Sequence, residues 1–200
     1  MSKTDEHTRR RFLMTGAAAA TGLSLNWPEL AAGQTLASTP ECSHPGEVTL
    51  RQTEGPFFKP RSPQRADLRE PGLQGRMVEL GGFVLTRACR PVAGALVDLW
   101  HSDDKGEYDE NGDRCRGHQF TDAGGRYRFV TILPALYTGR TRHFHLKVQA
   151  ERGPVLTTQL YFPGEPQNAR DHLFRRELLM RVSEAGGGLA ARFDFVLDRS

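Results

Sequence analysis

Cysteine is scarce in this 200-residue chain: Cys42, Cys89 and Cys115 are the three, and no two are close in sequence. That spacing excludes a compact thiolate metal site, which needs cysteines in near pairs. In an exported protein, three cysteines form one disulfide and leave one thiol, and the sequence does not say which two pair. Long apolar runs are missing as well. The mild stretch from Thr15 to Leu25 is too short to cross a bilayer. Charge of one sign is also missing, since 27 Lys and Arg stand against 24 Asp and Glu for a net +3. Arginines scattered among apolar residues are not a nucleic-acid footprint. No segment repeats, and only Asn168–Val182 has helical character.

The N-terminus reads as an address. Thr8-Arg9-Arg10-Arg11-Phe12-Leu13-Met14 is a twin-arginine pattern, followed by the Ala/Gly-rich stretch of an export signal. No cysteine lies just after that stretch, so neither a lipid anchor nor another stable membrane anchor is expected. Cleavage is expected after Ala32 or Ala37. Residues 1–37 are thus expected to be signal and linker, and residues 38–200 one domain, periplasmic or secreted. Residues 1–37 hold four basic and three acidic side chains, so their removal takes the net charge from +3 to +2. The twin-arginine route carries folded proteins, which suits a cofactor loaded before export.

Residues 33–77, rich in Pro, Gly, Ser and charge, read as an extended arm around a core. From Val78 the apolar period is two. It predicts strands at Val78–Thr86, Ala95–His101, Arg126–Ile132, His143–Ala150, Leu156–Phe162 and Arg192–Leu197. Turn signals separate them, Asn111-Gly112, Gly124-Gly125 and Pro163-Gly164 among them. The expected fold is all-β, a β-sandwich of two packed sheets with long loops and one short helix.

Chemistry concentrates in four residues. His143-Phe144-His145 places two imidazoles on one strand face, opposite Phe144, Leu146, Val148 and Ala150. Taken alone, such a face is more often wet than metal-bound. Tyr137 lies six residues upstream, across a turn with Gly139 and Arg140, and Tyr108 closes Gly106-Glu107-Tyr108. Imidazole suits Zn, Cu, Fe or Ni; phenolate is a hard anionic donor known on haem iron. Two phenolates on one ion favour ferric over ferrous iron. Fe(III), two tyrosinates and one hydroxide sum to zero charge, the least costly state to bury. Tyr127 and Tyr161 read better as core residues. His101 and His118 flank an acidic loop and are expected to be exposed. Asp109–Asp113 lacks the full calcium-loop spacing and reads as a polar turn. Arg116 and Gln119 are near enough in sequence to reach the pocket.

Several segments together resemble the intradiol ring-cleavage dioxygenases, the family that includes protocatechuate 3,4-dioxygenase and catechol 1,2-dioxygenase. They are Thr53-Glu54-Gly55-Pro56-Phe57-Phe58, Gly82-Phe83-Val84, the run from Pro91 to Trp100, Gly106-Glu107-Tyr108, Thr121 to Phe129, Pro134 to Arg140, His143-Phe144-His145, Gln159 to Gly164, and Asn168-Ala169-Arg170-Asp171. The ordered combination over residues 50–175 is specific, although each piece is weak. The resemblance implies a mononuclear, non-haem Fe(III) held by Tyr108, Tyr137, His143 and His145. Tyr137 and His145 would be axial, and Tyr137 the phenolate that leaves when substrate chelates. Arg140 matches the family's active-site arginine, a cation for charge developing on the ring. The implied reaction cleaves a catechol-type diol between its hydroxylated carbons with O2, giving a muconate-type diacid.

Departures are present too. Thr138 and Arg142 stand where relatives often carry proline, and Cys89 where many have Gly or Ser. No counterpart of the N-terminal helical domain of catechol 1,2-dioxygenases is seen, which favours the smaller, exported branch. Two other readings stay open: a ferrous or copper enzyme using His143, His145 and Glu151, and a non-catalytic β-sandwich binding module. The ring substituents of the substrate, expected to be read by Pro60 to Gly75, stay open as well. So does the oligomeric state, a homo-oligomer included.

Overall fold

The computed structural model describes residues 47–137 and 139–199. The twin-arginine segment, both cleavage positions, Cys42 and Thr138 lie outside the described residues. Two sheets face each other. One has the order β4 (Arg126–Ile132), β1 (Met77–Thr86), β8 (Gly188–Arg192), β7 (Arg181–Ala185), with β9 (Phe195–Leu197) also on β1. The other has the order β3 (Arg116–Phe120), β2 (Leu96–Trp100), β5 (His143–Gln149), β6 (Leu156–Tyr161), antiparallel throughout. The all-β sandwich expected from period two is the fold observed.

Alternation builds the core. Leu80 and Val84 of β1, Phe129 of β4 and Phe195 of β9 share one buried cluster with Val97 and Leu99 of β2 and Phe144, Leu146 and Val148 of β5. Each such side chain is worth about 1.5–3 kcal/mol when fully buried. That gain fixes which face of β5 turns inward. β1, β2, β4, β5 and β6 lie where the period places them, with ends shifted by one residue at most.

The structure departs from expectation in three ways. The helix expected over Asn168–Val182 is absent: two 3-10 turns, Pro166–Ala169 and Arg176–Leu178, precede β7. Burial there alternates through Leu178 and Met180, so no helical apolar stripe exists to pack. The strand expected over Arg192–Leu197 is split. Phe193 N–H donates to the Gly81 carbonyl (3.1 Å) and the Asp194 carboxylate takes the Phe83 N–H (3.0 Å), so the chain steps from one half of β1 to the other. Finally, β3 and β7 are edge strands with little apolar alternation, which hid them from the period.

The described part of the arm crosses both sheets. Its N–H groups at Thr49, Gln52, Arg65 and Leu68 donate to carbonyls of Val196, Thr157, His118 and Val130, at 2.8–3.0 Å. Cys89 is disulfide-bonded, and Cys115 is a buried free thiol. Among the described residues no helix is long and apolar enough to cross a membrane.

Candidate metal centre

The site is on the outer face of the second sheet. Ladder register places Trp100 beside both Arg116 and His145, His145 beside Gln159, and His143 beside Tyr161. One row of outward side chains therefore runs Arg116, Trp100, His145, Gln159 across four strands. This face is not wet. His143 and His145 are 4% and 3% exposed, and arm residues 53–58 lie over this face. Gln159 Nε2 donates to the Thr53 carbonyl (2.9 Å), and Lys147 pairs with Glu54 at 2.5 Å. The same ammonium sits 3.4 Å over the Phe58 ring. Phe58 packs on Trp100, and Trp100 stacks on His145 with centroids 5.0 Å apart and planes 10° apart. Stacking of this kind adds about 0.5–1.5 kcal/mol beyond burial.

Two loops bring in the phenols. In the first, buried Asp103 accepts the N–H groups of Lys105 (2.8 Å) and Glu107 (3.0 Å) through Oδ1, shaping the turn before Tyr108. The Asp103 carbonyl accepts the Ala135 N–H (2.9 Å), tying this loop to the one that carries Tyr137. Gly106 makes that contact feasible. Its φ is +84°, and a Cβ there would stand 2.4 Å from the Leu136 carbonyl oxygen. Arg116 holds the far side, donating from Nε and Nη2 to the Asp109 carbonyl at 3.2 and 2.9 Å. Tyr108 stacks on Phe57 (4.3 Å, 9°), not on Trp100. Tyr137 meets both rings edge-on, at 5.7 Å from Tyr108 and 5.4 Å from Phe57.

The donor atoms converge. His143 Nδ1–H donates to the Thr141 carbonyl at 2.6 Å, which leaves the lone pair on Nε2. That Nε2 lies 3.0 Å from His145 Nε2 and 3.4 Å from the Tyr108 hydroxyl. Burial lowers the His143 pKa to about 4 and that of His145 well below its usual range, so both rings are neutral, the ligating form. Burial also pushes the Tyr108 hydroxyl well up, so its ionisation calls for a strong local cation. A nitrogen spacing of 3.0 Å suits two imidazoles sharing one ion as neighbouring ligands, each about 2.1 Å from it. Among the described residues no three His, Cys, Asp or Glu side chains gather at one point. The side-chain oxygens at this point are those of the tyrosines, so the residues present, two neutral imidazoles with phenol oxygens, fit a hard cation.

Glu151 does not belong to this group. It follows β5 at the end away from the histidines, 84% exposed beside Arg152, which overturns the ligand set built on it. Arg140 lies at the pocket through its neighbours: Nε donates to both Asp171 oxygens (3.1 and 2.9 Å) and Nη2 to Gln159 Oε1 (2.6 Å). Tyr161 and Tyr127 are buried, their hydroxyls donating to the carbonyls of Leu173 and Phe193. His101 is buried, contrary to expectation, between the Thr131 hydroxyl and the Ser102 carbonyl. His118 is half-buried, bonded to Ser62. Gln119 bonds across to Arg128. Within residues 60–75, Arg65 and Leu68 pair with β3 and β4, and the arm residues packed at the site are among 53–58. Phe57, Trp100, Gln159 and Asp171 had no assigned role from the sequence. The signal for Trp100 was parity: it lies on the outward face with Asp98, opposite Val97 and Leu99.

The family described as Dioxygenase (Dioxygenase_C) matches residues 53–199. The protocatechuate 3,4-dioxygenase beta chain of Burkholderia cepacia is 34% identical over 152 residues, covering 62% of this chain and 65% of that one. The chain thus spans less than two thirds of that relative's length. A solved dioxygenase domain, from a dioxygenase carbohydrate-binding protein fusion of Streptomyces sp. SirexAA-E, is 52% identical. It superposes with a TM-score of 0.75, covering 77% of this chain and all of that one. The 3-chlorocatechol 1,2-dioxygenase of Rhodococcus opacus 1CP is 26% identical with a TM-score of 0.70, covering 76% of this chain and 73% of that one.

Proposed function

Since the chain belongs to the intradiol ring-cleavage dioxygenase family, we propose that it uses O2 to cleave a catechol-type ring between its two hydroxylated carbons, yielding a muconate-type diacid. The observation that carries this reading is the meeting of two neutral imidazole Nε2 atoms with the Tyr108 hydroxyl, beside Tyr137 and within one covered pocket. Tyr108, Tyr137, His143 and His145 would hold a single non-haem ferric ion. When bound, that ion supplies Lewis acidity and a redox partner for the diol.

The chain's own residues have distinct tasks. Tyr137, on a loop and half-buried, accepts a substrate proton as the diol binds. His143 and His145 stay neutral and fixed, one by the Thr141 carbonyl, the other by the face of Trp100. Arg140 supplies a positive charge to the anionic ring, held in place by Asp171 and Gln159. Phe57 and Phe58 exclude water from the pocket.

Export by the twin-arginine route is part of the proposal. It is supported by Arg9-Arg10-Arg11-Phe12-Leu13 and by a disulfide at Cys89, a bond that persists in oxidising compartments. Fractionation of an expressing bacterium should place the protein outside the cytoplasm, and Arg9→Lys/Arg10→Lys/Arg11→Lys should retain it inside.

The visible spectrum of the purified protein, with and without catechol, tests the chemistry. Tyrosinate-to-ferric charge transfer should give a wine-red band that catechol moves to longer wavelength, and product analysis should show the diacid. A colourless protein with stoichiometric metal would point to a ferrous or copper enzyme. A protein that takes up no iron and leaves catechol intact would leave a binding module.

A further inference from the structure

We infer that Asp171 is the positioning residue that sets Arg140 and His143 together, an inference that rests on the ring-cleavage reading above. The Asp171 side chain is 0% exposed, yet its carboxylate is fully engaged. Arg140 Nε donates to both oxygens, the Thr141 N–H to Oδ2 (2.9 Å) and the Leu173 N–H to Oδ1 (2.9 Å). Burial alone would raise its pKa; the two backbone donors and Arg140 outweigh that and hold it below the usual carboxylate range. It is therefore a fixed anion in the fold.

Its grip reaches two functional groups at once. With Nε on Asp171 and Nη2 on Gln159, the guanidinium plane of Arg140 is set from two sides. Thr141, the next residue, has its N–H on Asp171 and its hydroxyl on Asn168 Oδ1 (2.7 Å), and Asn168 Nδ2 in turn donates to the Phe162 carbonyl (2.9 Å). The remaining polar group of Thr141, its carbonyl, takes the His143 Nδ1–H. One carboxylate thus fixes the cation that faces substrate and the backbone carbonyl that chooses the His143 tautomer. Such partners of metal-binding histidines are worth roughly 10- to 100-fold in metal affinity or activity.

A double-mutant cycle on the iron-loaded protein tests this. Wild type, Asp171→Asn, Arg140→Gln and the double variant are assayed with catechol, with rates expressed per bound iron. Asp171→Asn should lower kcat/KM by roughly 10- to 100-fold, the equivalent of one charge-assisted hydrogen bond. The double variant should be no worse than Arg140→Gln alone within about threefold, because a rate expressed per bound iron reads the part of Asp171 that acts through the arginine. Iron release to a chelator reads the His143 arm: it should quicken about tenfold in Asp171→Asn and stay near wild type in Arg140→Gln. Losses that multiply, or wild-type rates in Asp171→Asn, would overturn the inference. Should a single variant fold poorly, thermal unfolding reads the same pair. The double variant, with no unpaired buried charge, should be at least as stable as either single, and one less stable than both overturns the coupling. A wild type that neither binds iron nor cleaves catechol overturns the proposed function and this inference with it. An additive cycle in an active wild type overturns this inference alone.

Discussion

His101 turns acid sensitivity into a measurable quantity. It directly follows Trp100, the platform under His145, and is 1% exposed. Its Nδ1 lies 2.7 Å from the Ser102 carbonyl and must donate; its Nε2 lies 2.7 Å from the Thr131 hydroxyl and must accept. A second proton would break that arrangement and charge a buried ring. Burial accordingly lowers its pKa to about 4 from 6.5, with the neighbouring His143 and Arg116 acting in the same direction. The folded ring binds its proton more weakly than the unfolded one. Its share of stability is therefore complete above pH 6.5 and is lost as pH falls from 6.5 toward 4. Between about pH 7.5 and pH 5 the loss amounts to about 2 kcal/mol. We predict that the stability advantage of wild type over His101→Gln shrinks by about that amount across this interval. Urea unfolding at both pH values, followed by tryptophan fluorescence, measures it. His143 and His145 are common to both proteins and largely cancel in the difference. An advantage that stays constant with pH would refute the assignment of a buried neutral His101.

The remaining predictions concern the site. Tyr137→Phe should keep its iron while kcat/KM for catechol falls by about 100-fold or more, the usual share of a general base; unchanged kinetics would sink the proton-accepting role. Gly55 has φ +69°, and a Cβ there would stand 3.3 Å from His145 Cε1. Gly55→Ala should therefore cost about 1–2 kcal/mol and speed iron release to a chelator, whereas wild-type release would show that the arm does not press on His145. Phe57→Ala removes the ring stacked on Tyr108 and edge-on to Tyr137. It should shift the tyrosinate charge-transfer band, and a spectrum identical to wild type would count against Phe57 as the common support of both phenols.

Legibility in the sequence followed the range of the interactions. Period two is local, so β1, β2, β4, β5 and β6 were readable. Tyr108 and Tyr137 have no period to reveal them, because each sits on a loop, and the contact that joins the loops is Gly106 against Leu136. Their candidacy rested on resemblance to a family. The segment 168–182 misled for a related reason. Its Leu, Arg, Glu and Met residues favour helix, but Asn168 and Asp171 are recruited by Thr141 and Arg140, some thirty residues upstream. Non-local hydrogen bonds outweighed propensity there. His101 misled because the partner that buries it, Thr131, belongs to the opposite sheet.

Parity on β5 joins fold and chemistry into one constraint. Phe144, Leu146 and Val148 face the sandwich core, while His143, His145 and Lys147 face the arm. A slip of one residue would send both histidines into the core and the Phe144 ring toward Phe57. The apolar alternation that folds the sheet is therefore also what brings the two Nε2 atoms within 3.0 Å of each other. The arm closes the other side: Lys147 has the same parity as the histidines, and its pairing with Glu54 draws Gly55 against His145 and Phe57 over Tyr108. Register on one strand thus determines the core, the position of both imidazoles and the attachment of the cover. That is why a pocket on the outer face of a sheet, where water would be expected, is dry enough to hold neutral histidines.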